Sequence, residues 1–130
     1  MAGFLLGLHS GARWLVVLAT LAILVKLIIN LAQQGKFDPL TQRLMAIWSG
    51  LASLQMLIGI ILFIALGQFD VLYRWEHAIT MTIAVAVANQ YRRFKDAPDP
   101  IKNRNYLIIV LVVLALIFIG VARLPGRRWW

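Results

Sequence analysis

Four long apolar stretches separated by short polar breaks set the pattern of this chain. They run from about Gly3 to Ala32, Pro39 to Leu66, Val71 to Tyr91 and Asn105 to Ala122. At about 1.5 Å of rise per residue, a helix over each spans roughly 30 Å of hydrocarbon. Hydrocarbon offers no water to exposed amides, so such spans must be helical. Asp38 followed by Pro39 predicts a helix start, with the carboxylate as N-cap and proline at the first helical position. The connections are Gln33–Asp38, Gly67–Asp70 and the polar stretch Arg92–Arg104, which holds Pro98 and Pro100. Connections this short place successive helices antiparallel. The expectation is an all-α integral membrane protein. It forms one domain over residues 1–130, an antiparallel four-transmembrane-helix bundle without an internal repeat.

Composition agrees with that pattern. Hydrophobic residues make up 62% of the 130, against roughly 45–50% in soluble domains. The net charge of +8 sits between the apolar runs, which suits anionic lipid headgroups and gives no nucleic-acid recognition pattern. Lys36, Arg43, Arg92, Arg93, Lys95, Lys102 and Arg104 lie at one end; Arg74, Arg123, Arg127 and Arg128 lie at the other. Positive residues favour the cytoplasmic side, so both termini are expected outside. The first segment is too long for a signal-peptide core, lacks a charged leader and is expected to be retained. No cysteine is present, which excludes thiolate metal sites, iron–sulfur clusters and covalent haem attachment.

Only two histidines occur, His9 and His77, in the opening turns of the first and third helices. Odd-numbered helices of such a bundle run the same way, so both imidazoles fall near one membrane face. His77 precedes the Arg92/Arg93 boundary by fifteen residues and His9 precedes Lys26 by seventeen. The implied difference in depth is about 3 Å. Two neutral imidazoles facing each other across a bundle suit the axial positions of one haem iron. The alternative is a pair of interfacial residues bonded to water or headgroups.

Other polar residues gather near the same level. Arg13 lies one turn deeper than His9, and an intramembrane arginine needs a partner or a polar cavity. Glu76 is its natural counter-ion; a haem propionate or a quinone carbonyl is the functional alternative, and Arg74 is a second propionate candidate. Gln55 is deep enough to seek a hydrogen-bond partner or a cofactor edge. His77, Met81, Ala84 and Ala88 share a helix face, leaving a groove below the histidine. Gly3, Gly7 and Gly11 form two overlapping G-x-x-x-G patterns on the opposite face of helix 1 from His9, which permit close helix contact. Tyr73, Trp75, Tyr91, Trp129 and Trp130 read as interfacial anchors, while Trp14 and Trp48 read as anchors or as flanks of a macrocycle. Asn30 and Asn89 are expected to meet water, and helix 4 to lack chemistry.

Enzyme motifs are missing. There is no G-x-S-x-G, H-E-x-x-H or phosphate loop. The carboxylates are Asp38, Asp70, Glu76, Asp96 and Asp99, too few inside the spans for a transmembrane proton relay.

The pieces Leu8-His9-Ser10-Gly11-Ala12-Arg13-Trp14, Ser53-Leu54-Gln55-Met56-Leu57-Ile58-Gly59 and Glu76-His77 resemble a group of small four-helix bacterial membrane proteins described as cytochrome-b-like. The likeness covers nearly the whole chain. That group carries an H-S-x-x-R-W opening, an H-x-Q-x-x-x-G segment in helix 2 and E-H at the start of helix 3. The chain departs at Ser53, where the group's histidine is expected, so His9 and His77 remain as the ligand pair. The resemblance implies the bacterial inner membrane.

The functional expectation is a b-type cytochrome-like subunit holding one haem b between His9 and His77. It would exchange electrons with a quinone pool or with other subunits of a respiratory or photosynthetic complex. The alternative is a non-redox accessory subunit, with or without a single (bacterio)chlorophyll on one histidine. A transporter is disfavoured, because broken mid-membrane helices and a polar pore lining are lacking.

Overall fold

Asp38 and Pro39 start the second helix as their chemistry dictates. In the computed structural model, which describes residues 2–33, 36–67, 69–122 and 124, α2 covers Pro39–Leu66. The Asp38 carboxylate accepts the Thr41 N–H at 2.9 Å and the Thr41 hydroxyl at 2.7 Å. Gly67 closes α2 at φ 69, a left-handed conformation that costs glycine little. The other helices are α1 (Ala2–Ala32), α3 (Leu72–Ala88) and α4 (Asp99–Ala122). A 3₁₀ stretch, Asn89–Phe94, continues α3.

Two helix bounds differ from expectation. α3 gives way to 3₁₀ geometry at Asn89, whose amide donates back to the Val85 carbonyl at 2.9 Å. α4 begins at Asp99 rather than Asn105. Pro100 falls in its first turn, where a missing N–H breaks no helical bond. Asp99 there suits the positive end of the helix dipole.

Side-chain pairs define an up-and-down order. α1 lies along α2 through Asn30–Thr41, Trp48–Thr20 and Gln55–His9. α2 meets α3 through Asn89–Ser53 and Phe63–Trp75. α3 meets α4 through His77–Gly120, and Tyr91 after it stacks edge-on against Tyr106. α4 returns to α1 through Asn30–Asn103. In every pair the residue numbers run in opposite senses, so neighbours are antiparallel and α1 stands diagonally across from α3.

The end of the bundle that holds the α1–α2 and α3–α4 connections is densely packed. Ile23, Leu27, Met45, Trp48, Tyr106 and Val110 are fully buried there. A polar clamp ties the same end together. The Asn30 amide donates to Thr41 Oγ1 at 2.8 Å and to Asn103 Oδ1 at 3.1 Å. Lys26 bonds the Asp38 carboxylate at 2.8 Å. Several expectations are corrected here. Asn30 meets protein, not water, and Asn89 bonds Ser53. Tyr91 is buried against Tyr106, not anchored at an interface. α4 joins this packed end through Asn103 and Tyr106, both fully buried.

The exterior is strongly apolar, with Phe4, Leu18, Ile64 and Phe118 all more than 60% exposed. α1 (from Gly3), α2 and α4 are long and apolar enough to cross a membrane. Gly3, Gly7 and Gly11 pack against nothing; a Cβ on any of them meets no atom within 4 Å. Turning His9 inward necessarily turns this ridge outward, so it makes no helix contact within the chain. Arg123, Arg127, Arg128, Trp129 and Trp130 lie outside the described residues.

Candidate functional site

The opposite half of the bundle is hollow. A cavity of about 1230 Å³ opens among all four helices, larger than the roughly 300–1,000 Å³ of a drug-sized ligand pocket. Its walls are mainly aliphatic and aromatic, from Val16 and Val17 of α1, Leu62 and Phe63 of α2 and Ile117 of α4. Set into these walls are His9, Arg13, Gln55, Arg74 and His77. Five of the six residues expected at a site therefore line one space. Glu76 does not line it; its backbone carbonyl accepts the Thr80 hydroxyl at 2.7 Å.

The two histidines enter the cavity from diagonal helices at the same end of the bundle. Each is seated by a glycine on a neighbouring helix. His77 Nδ1 lies 2.9 Å from the Gly120 carbonyl oxygen. A carbonyl can only accept, so Nδ1 carries the proton and Nε2 keeps its lone pair. His9 rests on Gly59, where a Cβ would stand 3.0 Å from the ring's Cε1 and 3.4 Å from Nδ1. Only a bare backbone admits the ring at that distance. The Gln55 amide holds the same turn of α1, donating to the His9 carbonyl at 2.6 Å.

Buried polar atoms of the lining that lack a hydrogen-bond partner among the described residues include His9 Nδ1, Gln55 Oε1 and Arg74 Nη1. Buried polar atoms are nearly always satisfied in a folded protein, so a cluster facing one cavity points to something that enters it. The Arg13 guanidinium carbon lies 5.2 Å from the centre of the Trp14 ring, in the range of a cation–π contact.

Set against protein-family models, curated proteins and solved structures, the chain matches none of them. The site is thus read from its own geometry. Among the described residues no group of three or more His, Cys, Asp or Glu side chains is placed to hold a metal ion. Two imidazoles alone make a poor site for a bare ion, which usually takes three or four protein ligands.

The remaining candidates divide between the two halves. Trp14 lines the cavity. Trp48 does not; its indole N–H is spent on Thr20 Oγ1 at 3.0 Å, in the packed half. The groove expected below His77 is cut short: Ala84 reaches the cavity, but Ala88 is sealed in the core. Ser53 is turned away from the cavity, bonding the Ser49 carbonyl at 2.8 Å. The Gly120 carbonyl was not legible beforehand, because a backbone acceptor leaves no mark in a sequence. Gly59 was visible only as the glycine that closes the segment Ser53–Gly59.

Proposed function

We propose that the chain is a membrane b-type cytochrome-like subunit, in which His9 and His77 would hold one haem in the hollow half of the bundle. When bound, the haem supplies one-electron redox chemistry. The protein's share is to hold two imidazoles across an apolar space, to fix their orientation and to keep water away. The observation that carries the reading is that both histidines open into one large cavity, with His77 Nδ1–H tied to Gly120. A ring nitrogen bonded in this way directs the other nitrogen to a metal and raises its basicity.

The setting belongs to the same proposal. All four helices cross the bilayer of a bacterial inner membrane, with both termini outside, in a larger respiratory or photosynthetic complex that exchanges electrons with a quinone pool. α3 has only 17 residues, but the 3₁₀ stretch of 6 residues continues it. Together they extend roughly 37 Å, enough for a span. Lys36, Arg43, Arg92, Arg93, Lys95 and Arg104 are exposed at the packed end, which supports that end as the cytoplasmic one.

One asymmetry favours a second reading. His77 is oriented by a hydrogen bond, whereas His9 Nδ1 has none. A (bacterio)chlorophyll magnesium needs a single imidazole, and His77 alone would provide it in an accessory subunit. The test is a reduced-minus-oxidised visible spectrum with a pyridine haemochrome assay on the full chain in mild detergent, repeated on His9→Ala and His77→Ala. A b-type α-band lost in both variants is the expected result. A pigment that survives His9→Ala but not His77→Ala selects the second reading. A colourless wild-type protein rejects both.

A further inference from the structure

Arg74 is a cavity residue that histidine ligation leaves unused. It stands in the first turns of α3, three residues before His77 and so on the same helix face. Its side chain lines the cavity, and its Nη1 is buried without a hydrogen-bond partner. A guanidinium stays charged at any accessible pH, and leaving it unpaired away from water is costly. Of the carboxylates at this end, Asp70 is exposed before α3 and Glu76 does not line the cavity. The cavity walls are mainly apolar, with Phe63, Phe69, Ile117 and Val121 among them. A large, mainly apolar cavity with a buried guanidinium nitrogen that lacks a partner among the described residues matches a ligand that is a bulky hydrophobic body ending in an anion.

We propose that the occupant of this cavity carries a carboxylate, and that Arg74 is the residue that binds it. The planar guanidinium fork matches a carboxylate with two parallel hydrogen bonds. Two kinds of molecule share this chemistry: a tetrapyrrole with carboxylate side chains, and a long-chain fatty acid from the membrane. The inference deepens the haem reading and rests on it only for the first kind.

The experiment titrates the full chain, purified in mild detergent and freed of bound pigment, with four probes. They are iron protoporphyrin IX, its dimethyl ester, a fluorescent long-chain fatty acid and that acid's methyl ester. Binding is read by absorbance or fluorescence, independently of any redox activity. The expected result is that the wild type prefers a free acid over its ester by roughly tenfold or more. Arg74→Gln removes that preference, while Arg74→Lys, which keeps the charge, retains part of it. Porphyrin binding in this pattern supports both proposals. Binding of the fatty acid in preference to its ester, with no binding of either porphyrin, supports the carboxylate site and rejects the haem reading. Equal binding of a porphyrin and its ester leaves the haem reading standing and overturns the role of Arg74. So does a preference for acid that survives Arg74→Gln. Binding of none of the probes overturns both.

Discussion

His77 and Gly120 meet edge to backbone, Nδ1 to carbonyl oxygen, at 2.9 Å. The contact joins α3 to α4 at the cavity wall and sets which ring nitrogen is free. A Cβ at position 120 would come within 2.7 Å of Met81 Cε. That atom is the flexible end of a thioether chain and can swing aside. Replacing glycine by alanine inside a helix also gains about 1 kcal/mol of propensity. Gly120→Ala should therefore leave the detergent-solubilised melting temperature within a few degrees of wild type and leave ligand binding intact. A large loss of either would show that Met81 has nowhere to go.

Gly59 should behave in the opposite way. A Cβ there lies 3.0 Å from His9 Cε1, and an imidazole ring cannot yield internally as a methionine can. The ring must shift, and a ligand nitrogen shifts with it. Gly59→Ala is expected to weaken binding of the cavity's chromophore by roughly tenfold, about 1.4 kcal/mol, and to move its absorption maximum. Helix content should be unchanged by circular dichroism. Gly50→Ala is the matched control on α2, because a Cβ there meets nothing within 4 Å. It should be neutral for binding and stabilising by up to about 1 kcal/mol.

Local chemistry explains which parts of this architecture the sequence revealed. α2 was legible to the residue because Asp38, Pro39 and Gly67 act on their own neighbours. The common level of His9 and His77 follows from counting helical rise. The start of α4 was not legible, since Pro98, Pro100 and the charges around them resemble a loop until Pro100 is placed in a first turn. Helical periodicity put Ala88 on the face of His77, but it cannot say what the facing helices bring against that face. Here they bring the packed core, which ends the groove at Ala84. The Asn30–Asn103 bond joins residues 73 apart in the chain, beyond the reach of any local pattern.

That buried amide pair makes the packed half sensitive to single substitutions. Asn30 is 3% exposed and Asn103 is fully buried. Asn30→Leu removes one hydrogen bond each from the Asn103 carbonyl and the Thr41 hydroxyl, which also bonds Asp38. Loss of such buried bonds costs about 1–3 kcal/mol. Thermal or denaturant unfolding in detergent should register that loss. Binding in the cavity, at the other end of the bundle, should be preserved; a variant that loses the ligand but keeps its stability would contradict the division into two halves.

The last expectation concerns acid. The Lys26 ammonium, then the Thr41 hydroxyl and N–H, hold the Asp38 carboxyl down from its ordinary 3.8 to about 2. A carboxyl whose folded pKa is depressed stabilises the fold fully above its unfolded value and loses that contribution as pH falls through the folded one. The window here runs from about pH 4 down to about pH 2. The Asp38 side chain is 46% exposed, so screening by water keeps the effect modest. Melting temperature measured from pH 5 to pH 2 should fall through that window in the wild type. In Asp38→Asn the slope should flatten while the midpoint at pH 7 drops, since the ion pair is lost at every pH and the cap is weakened. An identical slope in both proteins would assign the acid sensitivity to another carboxylate and leave Lys26–Asp38 without a measurable role.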